Sequence, residues 1–213
     1  ALCSDNPCDV VRVLGSLWPH SRSSFEAHIV KRFKECVPVT DFEPGISALC
    51  EFYANLVIGA VAGFKLDSVV RVLSSSEKEP DALRPQSLLA DAVCRRIGAR
   101  NFTHLFFKSE SRPPMRTVEH LSGPEALKNR IRYAAQNLFI KPFDLGGTVL
   151  LIDDIMNTGA SMRVYAHALK SFAGVDRVIA VNLAATRFKR GKDGHGMLTL
   201  DLSRTSDHPA LSR

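Results

Sequence analysis

The sequence predicts an α/β fold with a mainly parallel sheet flanked by helices, and three observations lead to it. Apolar, β-branched runs alternate with helical periodicity over the last two thirds of the 213 residues. That alternation implies crossover connections between neighbouring parallel strands. The most apolar run, GTVLLI at 147–152, leads directly into two carboxylates and a glycine-bearing polar turn. In parallel sheets, ligands collect at such carboxyl ends of strands.

The elements follow in order. FEAHIVKRFKE (25–35) has the spacing of an amphipathic helix, and EPGISALCEFYANLVIGAVAG (43–63) predicts another ending at Gly63. LDSVVRVL (66–73) reads as a buried strand, and SSSEKEPDALRP after it as a polar loop. QSLLADAVCRRIG (86–98) places Leu88, Leu89, Ala92, Val93 and Ile97 on one helical face, with Gly98 as C-cap. NFTHLFF (101–107) predicts a second strand. The polar segment 108–130, with its Pro pair, predicts a loop or flap. A strand resumes near NLFI (137–140), FDLGG (143–147) turns, and GTVLLI is the clearest strand. ASMRVYAHALKSFAG (160–174) predicts a helix with Tyr165, Ala168, Leu169 and Phe172 inward, and DRVIAVNLAA (176–185) the next strand. Residues 1–55 form an N-terminal, largely helical extension, 56–187 a core, and 188–213 a polar tail, part of it expected to be mobile.

Bulk composition narrows the partners. The net charge is +6, which fits a phosphorylated metabolite or nucleic acid, although charge alone favours an ordinary basic surface. Cys3, Cys8, Cys36, Cys50 and Cys94 form no CxxC pair, so scattered thiols in a reducing compartment are expected. ALCSDNPCDV lacks the layout of a signal peptide, and LVIGAVAGF (56–64) is too short to span a bilayer. A cytoplasmic protein without a membrane partner is the expectation.

VLLIDDIMNTGAS (149–161) carries the chemistry. A helix starting after the turn offers free N–H groups and a positive dipole end to a phosphate. Gly159 lets the backbone approach, and Thr158 and Ser161 add hydroxyl donors. Asp153 and Asp154 suit hydroxyls, such as a ribose diol, or a hydrated divalent cation. Adjacent acids alone also suit a receiver-type domain or a generic magnesium site. With the turn, the preceding run and the following helix, the ligand indicated is a sugar phosphate.

The stretch resembles the 13-residue signature of type I phosphoribosyltransferases, which bind 5-phosphoribosyl-1-pyrophosphate (PRPP). The resemblance implies that fold: a twisted, mainly parallel sheet with a flexible flap, or hood, over the carboxyl ends of the strands. It implies that Asp153 and Asp154 hold the ribose hydroxyls, that Asn157, Thr158, Gly159, Ala160 and Ser161 wrap the 5′-phosphate, and that Mg2+ arrives with pyrophosphate. More widely, 25–187 is similar to the ComF (competence protein F) branch: the Lys-bearing helix 25–35, the first strand and pyrophosphate loop in VVRVLSSS, and the Gln-led helix in PQSLLADAVCRRIG. The chain departs from that branch in three ways. Ser74, Ser75 and Ser76 follow the first strand instead of Pro-rich residues, yet offer N–H groups to an anion. Arg84-Pro85 precedes Gln86 instead of Arg-Gly. A zinc ribbon is absent or reduced to Cys3 and Cys8. Asn157 stands where purine-salvage relatives have an acid, and an amide takes no proton near neutral pH.

The segment 108–132 stands where the family has its flap and carries Lys108, Arg112, Arg116, Lys128, Arg130 and Arg132. One or two of these are expected to close over pyrophosphate. Three functions remain open at this point. They are phosphoribosyl transfer from PRPP to a nitrogenous acceptor, PRPP- or nucleotide-dependent regulation without catalysis, and a ComF-like role in DNA uptake or processing. A homodimer and nucleic acid are the further partners the resemblance admits.

Overall fold

The computed structural model describes residues 5–17, 25–35, 43–118 and 125–186. Cys3, Cys36 and the 188–213 tail lie outside these residues. The chain runs β1 (Val10–Val13), β2 (Ser16–Leu17), α1 (Phe25–Glu35), α2 (Glu43–Ala60), β3 (Ser68–Arg71), α3 (Pro85–Ile97), β4 (Arg100–Asn101) and β5 (Phe106–Lys108). A 3-10 turn (Met115–Thr117), α4 (Ala126–Ala135), β6 (Leu138–Ile140), β7 (Thr148–Met156), α5 (Ala160–Phe172) and β8 (Arg177–Thr186) follow.

The main sheet has the order β1-β8-β7-β3-β4, with β2 also on β8, and every pairing is parallel. It is an α/β architecture with helices on both faces. Leu150 and Ile152 of β7 pack on one face with Val30 and Phe33 of α1, Tyr53 and Val57 of α2, and Leu89 and Val93 of α3. Val149 and Leu151 pack on the other with Met162, Tyr165 and Leu169 of α5. All four β7 residues are fully buried, which explains the unbroken apolar run: a central parallel strand has no wet face. Each contributes about 1.5–3 kcal/mol by leaving water. Among the described residues no helix is long and apolar enough to cross a membrane.

Several expectations need correction. NFTHLFF is two short strands in different sheets. The Asn101 side-chain oxygen accepts the Thr103 N–H (2.9 Å) and Leu105 N–H bonds back to Phe102 (3.0 Å), turning the chain. β5 then pairs antiparallel with β6, Phe107 opposite Phe139. The polar segment 108–130 holds the start of α4, whose Ile131 and Ala134 pack on Ala160 and Val164 of α5. Phe172 is 68% exposed instead of facing inward. Residues 10–17, with no strand signal noted, supply β1 and β2. Their anchor is Asp9, which accepts the Val178 N–H (2.7 Å) and pairs with Lys170 (2.8 Å).

Candidate functional site

The crossover helices locate the site. α3 leaves β3 across one face of the sheet, and α5 leaves β7 across the other. Between the adjacent strands β3 and β7 the connections diverge and open a crevice at their carboxyl ends. A cavity of about 510 Å³ lies there. Its walls are Val72–Ser75 after β3, Asp153–Met162 through the end of β7 and the start of α5, Lys31 and Lys34 of α1, Gln86 of α3, and Arg112, Met115 and Arg130 of the 108–137 excursion.

The two acids are not at the end of the strand, as the sequence suggested. β7 continues to Met156, with Asp153 opposite Asn182 and Ile155 opposite Ala184. Successive strand residues point to opposite faces. Asp154 therefore lies on the α1–α3 side and Asp153 on the α5 side, yet the two carboxyl groups still interact. Asp154 Oδ2 is 2.8 Å from Lys34 Nζ and accepts from Gln86 Nε2 at 3.2 Å, while Oδ1 accepts the Ile155 N–H at 2.6 Å. Asp153 Oδ1 accepts the Asp154 N–H at 2.9 Å. Burial, and then the charge of Asp154, raise Asp153 well above the usual carboxylate range, against the pull of Lys34. Beside it, the amide of fully buried Asn182 has no hydrogen-bond partner among the described residues.

The serine loop is shaped from beneath. Arg71 is fully buried and forks onto Glu77, at 3.0 Å and 2.6 Å, and donates to Ser87 Oγ at 2.8 Å. Glu77 in turn accepts the Ser74 N–H at 2.7 Å. Burial pushes the Glu77 carboxyl up, but the Arg71 bonds and charge and the Ser74 and Asp81 N–H groups outweigh it and hold it low. The Ser74 N–H, expected to be open to an anion, is thus committed to Glu77. The loop's carbonyls are held too. Lys108 Nζ donates to those of Ser74 and Ser75, and the Leu73 N–H bonds the Tyr165 hydroxyl at 3.1 Å.

Lys108, expected on a flap, is 2% exposed and is absent from the cavity wall. Burial, then the nearby Arg112 charge, lower its ammonium to about 8. Arg112 and Arg130 do reach the cavity. Arg112 donates to the Tyr133 carbonyl and stacks over the Tyr133 ring at 5.1 Å. Lys128 is exposed beside Glu125, and Arg132 is exposed. The Arg116 side chain lies outside the described residues.

Asn157 and Thr158 are exposed at the mouth, and Gly159 caps α5 in the left-handed conformation (φ 74) with no side-chain cap bond. The first N–H groups of α5 therefore face the cavity without a capping side chain. Ser74, Ser75, Asp153, Asp154 and all of Asn157–Ser161 share this one cavity. Lys31, Lys34 and Gln86 were not assigned to the site from sequence. The signal for the lysines was present: they stand three apart on α1, beside the buried Val30 and Phe33 stripe.

The carboxylates are the anionic ligands on offer to a cation. Among the described residues no cluster of three His, Cys, Asp or Glu is placed to hold a metal. Mg2+ prefers six oxygens and keeps waters, so this donor set fits an ion that brings the rest of its shell with a phosphate. The cysteines offer no further ligands here: Cys8, Cys50 and Cys94 are buried and unbridged, and burial pushes Cys8 up to about 12. No family model matches the chain, and no curated protein is similar to it.

Proposed function

We propose that the cavity binds PRPP and that the protein is a phosphoribosyltransferase-like enzyme of the type I fold. One observation carries this reading. The acid pair, the uncapped N-terminus of α5 and four cations surround a single cavity. Those cations, Lys31, Lys34, Arg112 and Arg130, outnumber the two acids, as a ligand with several phosphate charges requires. The 5′-phosphate sits at Asn157–Ser161, the ribose diol at Asp153 and Asp154, and the pyrophosphate toward the serine loop and the cations. Asp153 and Asp154 lie where Mg2+ arriving with the pyrophosphate would be met, and the ion would neutralise part of the pyrophosphate charge. The segment between β5 and β6, which carries Arg112 and Arg130, is the flap.

In the reaction, the C1–O bond to pyrophosphate breaks and its electron pair leaves with pyrophosphate. The acceptor nitrogen's lone pair forms the C1–N bond, and that nitrogen then loses its proton. The protein contributes position and charge, with Arg112 and Arg130 at the leaving group. No side chain need form a covalent bond. Asn157 offers no base for a purine's proton, which favours as second reading a PRPP-binding regulator that does not turn over.

The experiment is titration with PRPP and Mg2+, repeated with Asp153→Asn and Asp154→Asn, then incubation of labelled PRPP with a panel of bases and ammonia. Binding should weaken in both variants by about tenfold or more, the worth of a charge-assisted hydrogen bond. Unchanged binding in both rejects the site. Binding without pyrophosphate release for any acceptor selects the regulator.

A further inference from the structure

Both oxygens of Asp154 have partners before any ligand arrives, and Oδ2 has two. Oδ1 holds the Ile155 N–H, and Oδ2 holds both Gln86 and Lys34. A hydroxyl can reach Oδ2 only by displacing Gln86 or Lys34, and the partners of the carboxylate differ in mobility. The Ile155 N–H is backbone of β7. Gln86 is 6% exposed in the first turn of α3. The Lys34 side chain is 44% exposed, on a flexible stem at the cavity wall. An ammonium on such a stem can swing from one anion to another.

We infer that Lys34 is an exchangeable latch, closed on Asp154 in the free protein and transferred to the anionic group of the ligand on binding. The latch makes the site selective for a ligand carrying a diol and an anion together. Such a ligand supplies a new partner to both Lys34 and Asp154. A bare phosphate or pyrophosphate takes Lys34 but strands the carboxylate, and a bare sugar does the reverse. Each half-ligand is rejected by the partner it leaves unpaired. The inference rests on the diol-and-phosphate reading of the same cavity, and α1 becomes a working wall of the site.

The test uses inorganic pyrophosphate as an anion without a diol, beside PRPP with Mg2+. Both are titrated into the full chain, Lys34→Met, Asp154→Asn and the double variant, each checked by thermal melting. Opening the latch by Asp154→Asn should tighten pyrophosphate about tenfold while weakening PRPP, and the pyrophosphate gain should vanish in the Lys34→Met background. Lys34→Gln should abolish the gain in the same way, which guards against a folding defect in one variant. A gain of equal size without Lys34 would reduce the effect to removal of a negative charge and overturn the latch. No gain, or no pyrophosphate binding, also overturns it. If PRPP does not bind but the Lys34-dependent gain appears, the latch stands and the PRPP reading falls. If PRPP binds and the gain is missing, the reverse holds.

Discussion

Asp153 is a residue whose burial works against the fold at neutral pH. Its raised pKa means that the folded chain keeps a proton the unfolded chain releases. Between the unfolded and folded values, stability therefore falls as pH rises, and below the unfolded value of about 3.9 the penalty is gone. Asp153→Asn should melt higher than the wild type at pH 7.5 and close to it at pH 4, as differential scanning calorimetry would show. The buried Arg71–Glu77 fork behaves oppositely. Glu77→Gln leaves Arg71 as an uncompensated buried charge and should cost about 3–5 kcal/mol in urea denaturation, with much of it recovered when Arg71→Met is added. Residue by residue, the acid pair and the Thr-Gly turn were legible because they adjoin in sequence. Lys34 on Asp154, Gln86 on the same oxygen and Glu77 on the Ser74 N–H were not, since tertiary folding creates the first two and a loop conformation the third.

Helices α1, α3 and α5 and strands β3, β7 and β8 were readable from periodicity because each buries a regular stripe or a continuous run. Shorter elements failed for the same reason. β4 and β5 are too brief to carry a period, and Asn101 separates them with a side-chain turn. α4 hides in a polar segment because its apolar stripe, Leu127, Ile131 and Ala134, is small and meets just α5, Met115 and Leu138 in its cluster. Glycines at element ends give a graded test. At Gly159 (φ +74) an added Cβ would meet only Met156 Sδ at 3.9 Å. Gly159→Ala should therefore cost about 1–2 kcal/mol, the left-handed penalty alone. At Gly147 (φ +59) the Cβ would land on the Asp67 carboxylate, which accepts the Thr148 N–H at the start of β7. Gly147→Ala should be the more destabilising of the two by thermal melting.

For the molecule as a whole, a ligand seated in the crevice between β3 and β7 is held by both halves of the main sheet at once. Saturating PRPP at about 100 times its dissociation constant should add about 2.7 kcal/mol of stability, read as a rise of several degrees in Tm. The sheet edge has another consequence, in the order of events during synthesis. β1 is made long before β8, its only partner among the described residues, with Val10 beside Ile179. β2 likewise waits for Ala185 and Thr186. Both strands must therefore leave the ribosome and idle until β8 is complete. Such long-range closure slows folding and exposes unpaired strand meanwhile. Since α1, the next described element, packs on β2 as well as on α2 and α3, the wall carrying Lys31 and Lys34 gains one of its supports only when β8 is made. A nascent chain halted before β8 would hold the Asp-Asp strand and the Thr-Gly turn, with β1 and β2 still unpaired.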